Sequence, residues 1–216
     1  MKININLKLN RIVRYFILAD LALLSGWGLV SPVFSIFIIE KILGATLISV
    51  GIAAAIYWLI KSALQIPIAV FLDRTPSEKD DYLFLIAGLI LVSFSAFSFM
   101  IIDKVWQLYS VQLIHAIGFA FYIPAWSGIF SRHLDKKHYA LDWSLDSAAI
   151  GVASGVTALF SGLLVTWFGF NAVFVSAGLL SLVAALVIFS LPDFIFPHRR
   201  PVKTLIRDHT PANIKL

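Results

Sequence analysis

The chain carries a few ionisable and polar residues inside stretches that are otherwise apolar. They are Lys61, Asp20, His115, Gln112 and Asp146. A charged side chain at the centre of a bilayer costs roughly 2.5 to 3.5 kcal/mol on an insertion scale, so each such residue needs a functional or structural reason. Because these groups can bind an ionic solute or carry a proton, we take all five as candidates for a substrate or proton pathway.

The distance of two of these residues from flanking charges predicts their depth. Lys61 precedes Asp73 by twelve residues, which is about 18 Å of helix and close to the bilayer midplane. A lysine stem is short for reaching water from that depth, so we expect Lys61 to face a cavity. Asp20 lies six residues past Arg14, about 9 Å into the membrane. There it either pairs with Lys61 or lies in an aqueous vestibule.

His115 and Asp146 each allow two interpretations. Gln112 precedes His115 by one turn on the same helical face, and a histidine there either forms a structural hydrogen bond between helices or carries a proton. Asp146 either serves transport or is an acid favoured by the positive end of its helix, an interpretation that Asp142 one turn earlier supports. The sequence also leaves open which aromatic residues line a cavity and which face lipid, namely Trp27, Tyr57, Trp58, Tyr122 and Trp126.

Motifs that would indicate an enzyme or a metalloprotein are absent from the sequence. The chain has no cysteine, no phosphate-binding glycine loop, no HExxH and no plausible nucleophilic triad. His133 and His138 flank a polar loop, where solvated side chains are a simpler explanation than a metal site. We therefore predict no enzymatic activity, no bound metal and no other cofactor.

Six apolar stretches must position these residues. They cover residues 15–39, 46–72, 82–102, 105–130, 145–168 and 172–191. About 20 apolar residues suffice for a helix to cross the hydrocarbon. The composition, 60% hydrophobic and 13% charged, has about half the charged share of a soluble domain. We predict an all-α, polytopic membrane protein in which residues 1–197 form a bundle of six transmembrane helices and 198–216 form a basic cytoplasmic tail.

The lysines and arginines lie almost wholly in alternate gaps between these stretches. The basic gaps contain Lys2, Lys8, Arg11 and Arg14; Arg74 and Lys79; Arg132, Lys136 and Lys137; and Arg199, Arg200, Lys203, Arg207 and Lys215. The opposite gaps hold only Lys41 and Lys104. Because short basic loops stay in the cytoplasm, we expect a multi-pass protein of the cell membrane with both termini cytoplasmic. We predict that these basic segments contact the lipid bilayer and do not bind nucleic acid.

An internal repeat is visible at a spacing of about 90 residues. Gly26 and Pro32 in the first stretch match Gly118 and Pro124 in the fourth, 92 positions later. Similar segments, AGLI at 87–90 and AGLL at 177–180, occur in the third and sixth stretches. Chance is the alternative, since these residues are common in membrane helices. The matches predict two three-helix units, at about 14–104 and 105–192.

The same glycines and prolines suggest how the helices bend. Three spans is an odd number, so the second unit enters the membrane from the opposite side, which makes an inverted repeat of the kind found in secondary transporters. Glycine and proline break or bend membrane helices where neighbours satisfy the freed backbone groups. Gly26, Pro32, Gly118 and Pro124 are therefore hinge candidates.

The order of the spans and the charged segment after the second span resemble those of a known family. That segment, residues 69–79, has the sequence AVFLDRTPSEK. Over nearly its whole length the chain resembles the amino-terminal six-helix half of a major facilitator superfamily transporter. Asp73 and Arg74 match that family's charged signature after helix two, whereas alanine, proline, serine and glutamate replace its glycines and arginines. Gln112 stands where helix four often has an arginine. The resemblance implies that Asp73 and Arg74 stabilise the closure of the cytoplasmic side.

The resemblance implies a secondary transporter that moves a small solute by alternating access, with possible coupling to protons. That family joins two six-helix halves, so we expect a homodimer or a pairing with a second six-helix chain. A truncated remnant is a further possibility. The alternative function is a non-transporting membrane subunit or scaffold, in which polar residues within the membrane only hold helices together. An integral membrane enzyme is more distant. The resemblance does not identify the solute.

Overall fold

The computed structural model of the protein describes residues 11–75, 78–134 and 139–191. Within these ranges the chain forms seven α-helices and no strand: α1 (Arg11–Val30), α2 (Phe34–Lys41), α3 (Leu47–Arg74), α4 (Glu78–Ser98), α5 (Val105–His133), α6 (Tyr139–Phe168) and α7 (Phe170–Phe189). Six of these, all except α2, are long and apolar enough to cross a membrane. The predicted all-α fold with six spans is thus confirmed. The tail predicted at 198–216 lies outside the described residues.

The first predicted span is two helices, α1 and α2, joined by a short turn that contains Pro32. Proline has no amide hydrogen to continue a helix. The Val33 amide donates to the Val30 carbonyl at 3.1 Å, which leaves the Leu29 carbonyl without its helical donor. The hydroxyl of Ser161 in α6 donates to that carbonyl. A neighbouring helix thus satisfies the backbone group released by the break, as a membrane interior requires.

The proline of the second unit behaves differently. Pro124 lies inside α5, which continues as one helix to His133. The two prolines that the repeat aligns are therefore not structurally equivalent, because only the first unit has a broken helix. Whether either proline acts as a hinge stays a prediction.

The helices form an arc in which each packs mainly against its neighbours, in the order α3, α5, α4, α7, α1, α6. In the predicted repeat, α1 corresponds to α5, α3 to α6 and α4 to α7. If each helix is replaced by its counterpart, the order runs backwards and the same helices remain neighbours. Such symmetry is expected of a duplicated three-helix unit and supports the predicted repeat. The core lies between α1, α4, α5 and α7. The helices that end the arc, α3 and α6, direct most of their surface outward.

Glycines of the repeat lie where helices cross most closely. A Cβ on Gly26 would lie 2.9 Å from the Cα of Ala177 in α7. Likewise, a Cβ on Gly88 of α4 would lie 2.8 Å from the Gly118 carbonyl oxygen of α5 and from the Tyr122 nitrogen. Glycine at these positions therefore permits the α1–α7 and α4–α5 crossings.

The glycines of α6 have open surroundings. A Cβ on Gly151, Gly155 or Gly162 would meet nothing within 4 Å. The close approach of α1 to α6 depends instead on Gly28, whose added Cβ would clash with the Thr157 hydroxyl and lie 3.0 Å from the Cα of Ser154. The glycine-rich face of α6 thus lies on the outside of the bundle.

Candidate functional site

A cavity of about 400 Å³ lies between α1, α2, α3 and α5. Its wall includes the aromatic residues Trp27, Phe34, Tyr57, Trp58 and Phe119 and the polar residues Ser31, Gln112 and His115. This volume and this mixture of apolar wall with few polar groups are typical of small-molecule sites. Trp27, Tyr57 and Trp58 thus line a cavity, whereas Tyr122 and Trp126 are buried in the core.

His115 is held between two aromatic rings. Its imidazole stacks on Trp27 with ring centroids 3.9 Å apart and an interplanar angle of 20°. Tyr57 stacks at 4.8 Å and 22°. Phe119 meets the ring edge-on at 5.1 Å. Helices from both repeat units therefore fix the plane of the imidazole.

Gln112 fixes the tautomer of that ring. Its Nε2 atom donates to the Ala53 carbonyl of α3 at 3.3 Å, so its Oε1 atom faces Nδ1 of His115 at 3.2 Å. An amide oxygen only accepts, and Nδ1 therefore carries the hydrogen. In the neutral ring Nε2 is then an acceptor, and it has no hydrogen-bond partner among the described residues. The buried Nε1 donor of Trp27 also lacks one within those ranges.

Lys61 lies beside the cavity and is not part of its lining. Its Nζ atom is 3.8 Å from the ring centroid of Trp58 and 5.0 Å from that of Tyr57. The residue is only 8% exposed. No carboxylate within the described ranges pairs with it, and Asp20 has a different partner. The ammonium is stabilised by the π faces of two cavity-lining rings.

Asp20 and Asp146 belong to a second polar cluster. The Tyr122 hydroxyl donates to Oδ1 of Asp20 at 2.7 Å. Asp146 of α6 interacts electrostatically with Asp20, and its Oδ1 atom is buried without a hydrogen-bond partner among the described residues. Both carboxylates are almost fully buried. The cluster therefore joins α1, α5 and α6 inside the bundle.

The two polar clusters are separated by the same number of residues on α1 and on α5. Asp20 precedes Trp27 by seven residues, and Tyr122 follows His115 by seven. The two helices are thus antiparallel, and the clusters form layers about 10 Å apart. Phe119 lies between the layers, with its ring centroid 6.2 Å from that of Tyr122. An aromatic side chain therefore separates the cavity layer from the acidic layer.

An ion cluster that the sequence did not predict joins the start of α4 to the end of α5. Nε of Arg132 donates to Glu78 at 3.3 Å, and another guanidinium nitrogen binds Asp81, which is almost fully buried. Asp73 and Arg74, the predicted closure residues, are exposed and form no hydrogen bond or ion pair with the described residues. The acidic residues in the first turn of α4 were the only sequence feature that pointed to this cluster. Their partner, Arg132, is 51 residues away from Asp81, so no local pattern connects them.

Comparison with known proteins agrees with this architecture. The profile of the Major Facilitator Superfamily matches residues 16–212. The chain belongs to the major facilitator superfamily. Members of this superfamily are transporters rather than enzymes, and the protein is accordingly a multi-pass membrane protein of a transporter family. The family resemblance seen in the sequence is confirmed.

Two similar proteins extend this comparison. An uncharacterized MFS-type transporter of Methanocaldococcus jannaschii is 23% identical over 172 residues, which are 79% of this chain and 43% of that protein. The crystal structure of the POT family transporter PepTSo aligns with a TM-score of 0.59 and 18% identity, over 83% of this chain and 37% of the other. At that identity the structure shows a shared fold alone. The superfamily chain described here spans less than half the length of either protein.

Proposed function

We propose that the protein is a secondary transporter that moves a small solute by alternating access. The observation that carries this proposal is the cavity between α1, α2, α3 and α5, where His115 is sandwiched between aromatic rings from two helices. Both three-helix units contribute to its wall, so a movement of one unit against the other changes the cavity. Gln112 orients His115, and Lys61 of α3 supplies positive charge beside the cavity.

The acidic layer supplies a route for protons in this proposal. Asp20, Tyr122 and Asp146 lie about two helical turns from His115, and Phe119 separates the two layers. A carboxylate whose oxygen lacks a partner in an apolar interior is a functional candidate by default. The route therefore consists of Asp20 and Asp146 in one layer and His115 in the other.

On the cytoplasmic side, the Arg132 cluster and the nearby Asp73 and Arg74 hold the closed state together in this proposal. In this proposal the break at Pro32, the proline inside α5 at Pro124 and the close crossings at Gly26 and Gly118 absorb the bending. In this proposal the protein lies in the cell membrane with both termini in the cytoplasm, because its lysines and arginines fall almost wholly in alternate gaps of the sequence.

A second six-helix bundle completes the transporter. The chain spans less than half of its relatives, and α3 and α6 direct apolar and glycine-rich surface outward. Glycine faces allow close helix packing in lipid. We propose that a second copy, related by a two-fold axis along the membrane normal, or another six-helix chain covers these helices.

The test combines mass and uptake. The purified protein in nanodiscs should have the protein mass of a dimer, and in proteoliposomes at least one solute of a mixed library should accumulate, as read by mass spectrometry of the vesicle contents. Accumulation should be lost in Lys61→Met and retained in Lys104→Met, a matched change at an exposed loop lysine. If no solute accumulates and Lys61→Met alters only assembly with a partner, the protein is a membrane scaffold.

A further inference from the structure

We infer that the cavity selects a small organic anion, a carboxylate on an aromatic or apolar body. The inference rests on the proposed transport function and names its class of substrate. It follows from the positive charge beside the cavity and from the aromatic and aliphatic character of its wall.

The charge around the cavity is positive. Lys61 contacts two rings that line the cavity, and the part of the chain that the structure describes offers it no carboxylate. Asp20 and Asp146 belong to the other layer, beyond Phe119. A buried charge without an opposite charge is costly in a low-dielectric interior. An anion in the cavity would supply the missing countercharge.

The aromatic rings compensate the ammonium only in part. Nζ of Lys61 lies 3.8 Å from the ring centroid of Trp58 and 5.0 Å from that of Tyr57. A π face attracts a cation but carries no net negative charge to neutralise it. The arrangement therefore holds Lys61 in place and leaves its charge for a ligand.

The wall of the cavity fits the same ligand. It is mostly aromatic and aliphatic, which suits an apolar body, and about 400 Å³ limits the size of that body.

A series of ligands with one shape and three charges tests the inference. Benzoate, benzamide and benzylammonium are nearly equal in size and differ in charge. Their affinities for the full chain in nanodiscs are measured by calorimetry. We expect benzoate to bind at least tenfold more tightly than benzamide, and benzylammonium to bind more weakly still. This comparison requires only the unmodified protein.

Variants of Lys61 then test whether this residue causes the preference for benzoate over benzamide. Lys61→Met should abolish the tenfold preference for benzoate and leave benzamide affinity unchanged, whereas Lys61→Arg should retain it. Lys104→Met is the matched control and should behave as the unmodified protein. Melting temperatures without ligand establish that each variant is folded.

The outcomes separate this inference from the transport proposal. Equal affinities, a preference for benzylammonium, or no binding of any of the three compounds would overturn the anion inference. Accumulation of a neutral or cationic solute in proteoliposomes would then leave transport standing. Conversely, a clear preference for benzoate without accumulation of any solute would overturn transport and leave the anion site in place.

Discussion

Tyr122 donates its hydroxyl hydrogen to Oδ1 of Asp20 at 2.7 Å, although the two residues are 102 positions apart in the chain. The contact joins α5 to α1, the equivalent helices of the two repeat units. Both side chains are almost fully buried. A single hydroxyl therefore satisfies a carboxylate inside the bundle and connects the units there.

Removing that hydroxyl should destabilise the protein. Tyr122→Phe keeps the ring that meets Phe119 and leaves Oδ1 of Asp20 without its donor, which costs about 1 to 3 kcal/mol for a buried acceptor. The measurement is thermal unfolding in detergent. The double variant Tyr122→Phe/Asp20→Leu removes both polar groups and should recover part of the loss. Identical melting of Tyr122→Phe and the unmodified protein would contradict this account.

The positions where helices cross closely at a glycine should not tolerate an added methyl group. A Cβ at Gly118 would lie 2.8 Å from a methyl carbon of Val92 and 3.0 Å from its nitrogen. We expect Gly118→Ala to lose about 1 to 3 kcal/mol through overpacking. Gly155→Ala is the control, because a Cβ there has open space, and it should melt at or above the unmodified temperature. Equal melting of both variants would show that α4 and α5 are less closely packed.

The Arg132 cluster should contribute more to stability than the exposed residues of the predicted closure signature. Arg132→Gln leaves Asp81 buried without its cation. We expect a loss of about 1 to 2 kcal/mol, below that of a fully buried pair because Arg132 is partly exposed. Arg74→Gln should leave the melting temperature unchanged. The expectation fails if Arg74→Gln destabilises the protein as much as Arg132→Gln.

His115 should affect function more than stability. His115→Phe keeps an aromatic ring between Trp27 and Tyr57 and removes both ring nitrogens. Uptake of the transported solute should fall at least tenfold, while the melting temperature changes by only a few degrees, since the loss of the Gln112 contact costs about 1 kcal/mol. Initial uptake rates and melting curves are measured on the same preparation. Full uptake by His115→Phe would exclude a role for its ring nitrogens.

The absence of natural cysteine allows a direct test of orientation. Leu43→Cys places a thiol at an exposed position between α2 and α3, and Thr75→Cys places one at the end of α3. We expect a membrane-impermeant maleimide to label Leu43→Cys in intact cells and Thr75→Cys only after the cells are opened. The reverse labelling would invert the assigned topology.

Hydropathy and length predicted the six spans because crossing a bilayer is a local requirement on sequence. The repeat stays a prediction, but two of its matched glycines, Gly26 and Gly118, do lie at close helix crossings. The break at residues 31–33 was harder to predict: Pro32 marked a bend, but a proline inside α5 leaves that helix continuous. The difference depends on tertiary neighbours, such as Ser161 beside the Leu29 carbonyl.

The site was predictable only where its partners share one helix. The spacing of Gln112 and His115 places them on one face, and the two side chains are in contact. The stack of His115 on Trp27 and Tyr57 brings together three helices, so no local pattern reveals it. The same reason applies to Asp20, for which the sequence suggested Lys61 or water and the structure shows Tyr122.

The shared register of the two polar layers restricts how α1 and α5 move. Sliding one helix along the other by a single turn, about 5.4 Å, would separate Trp27 from His115 and Asp20 from Tyr122 in the same step. Tilting about the level of Phe119 would separate the contacts of one layer and bring those of the other closer together. We therefore expect a rotation of α1 against α5 to cost less than a translation, because the rotation breaks only one layer at a time.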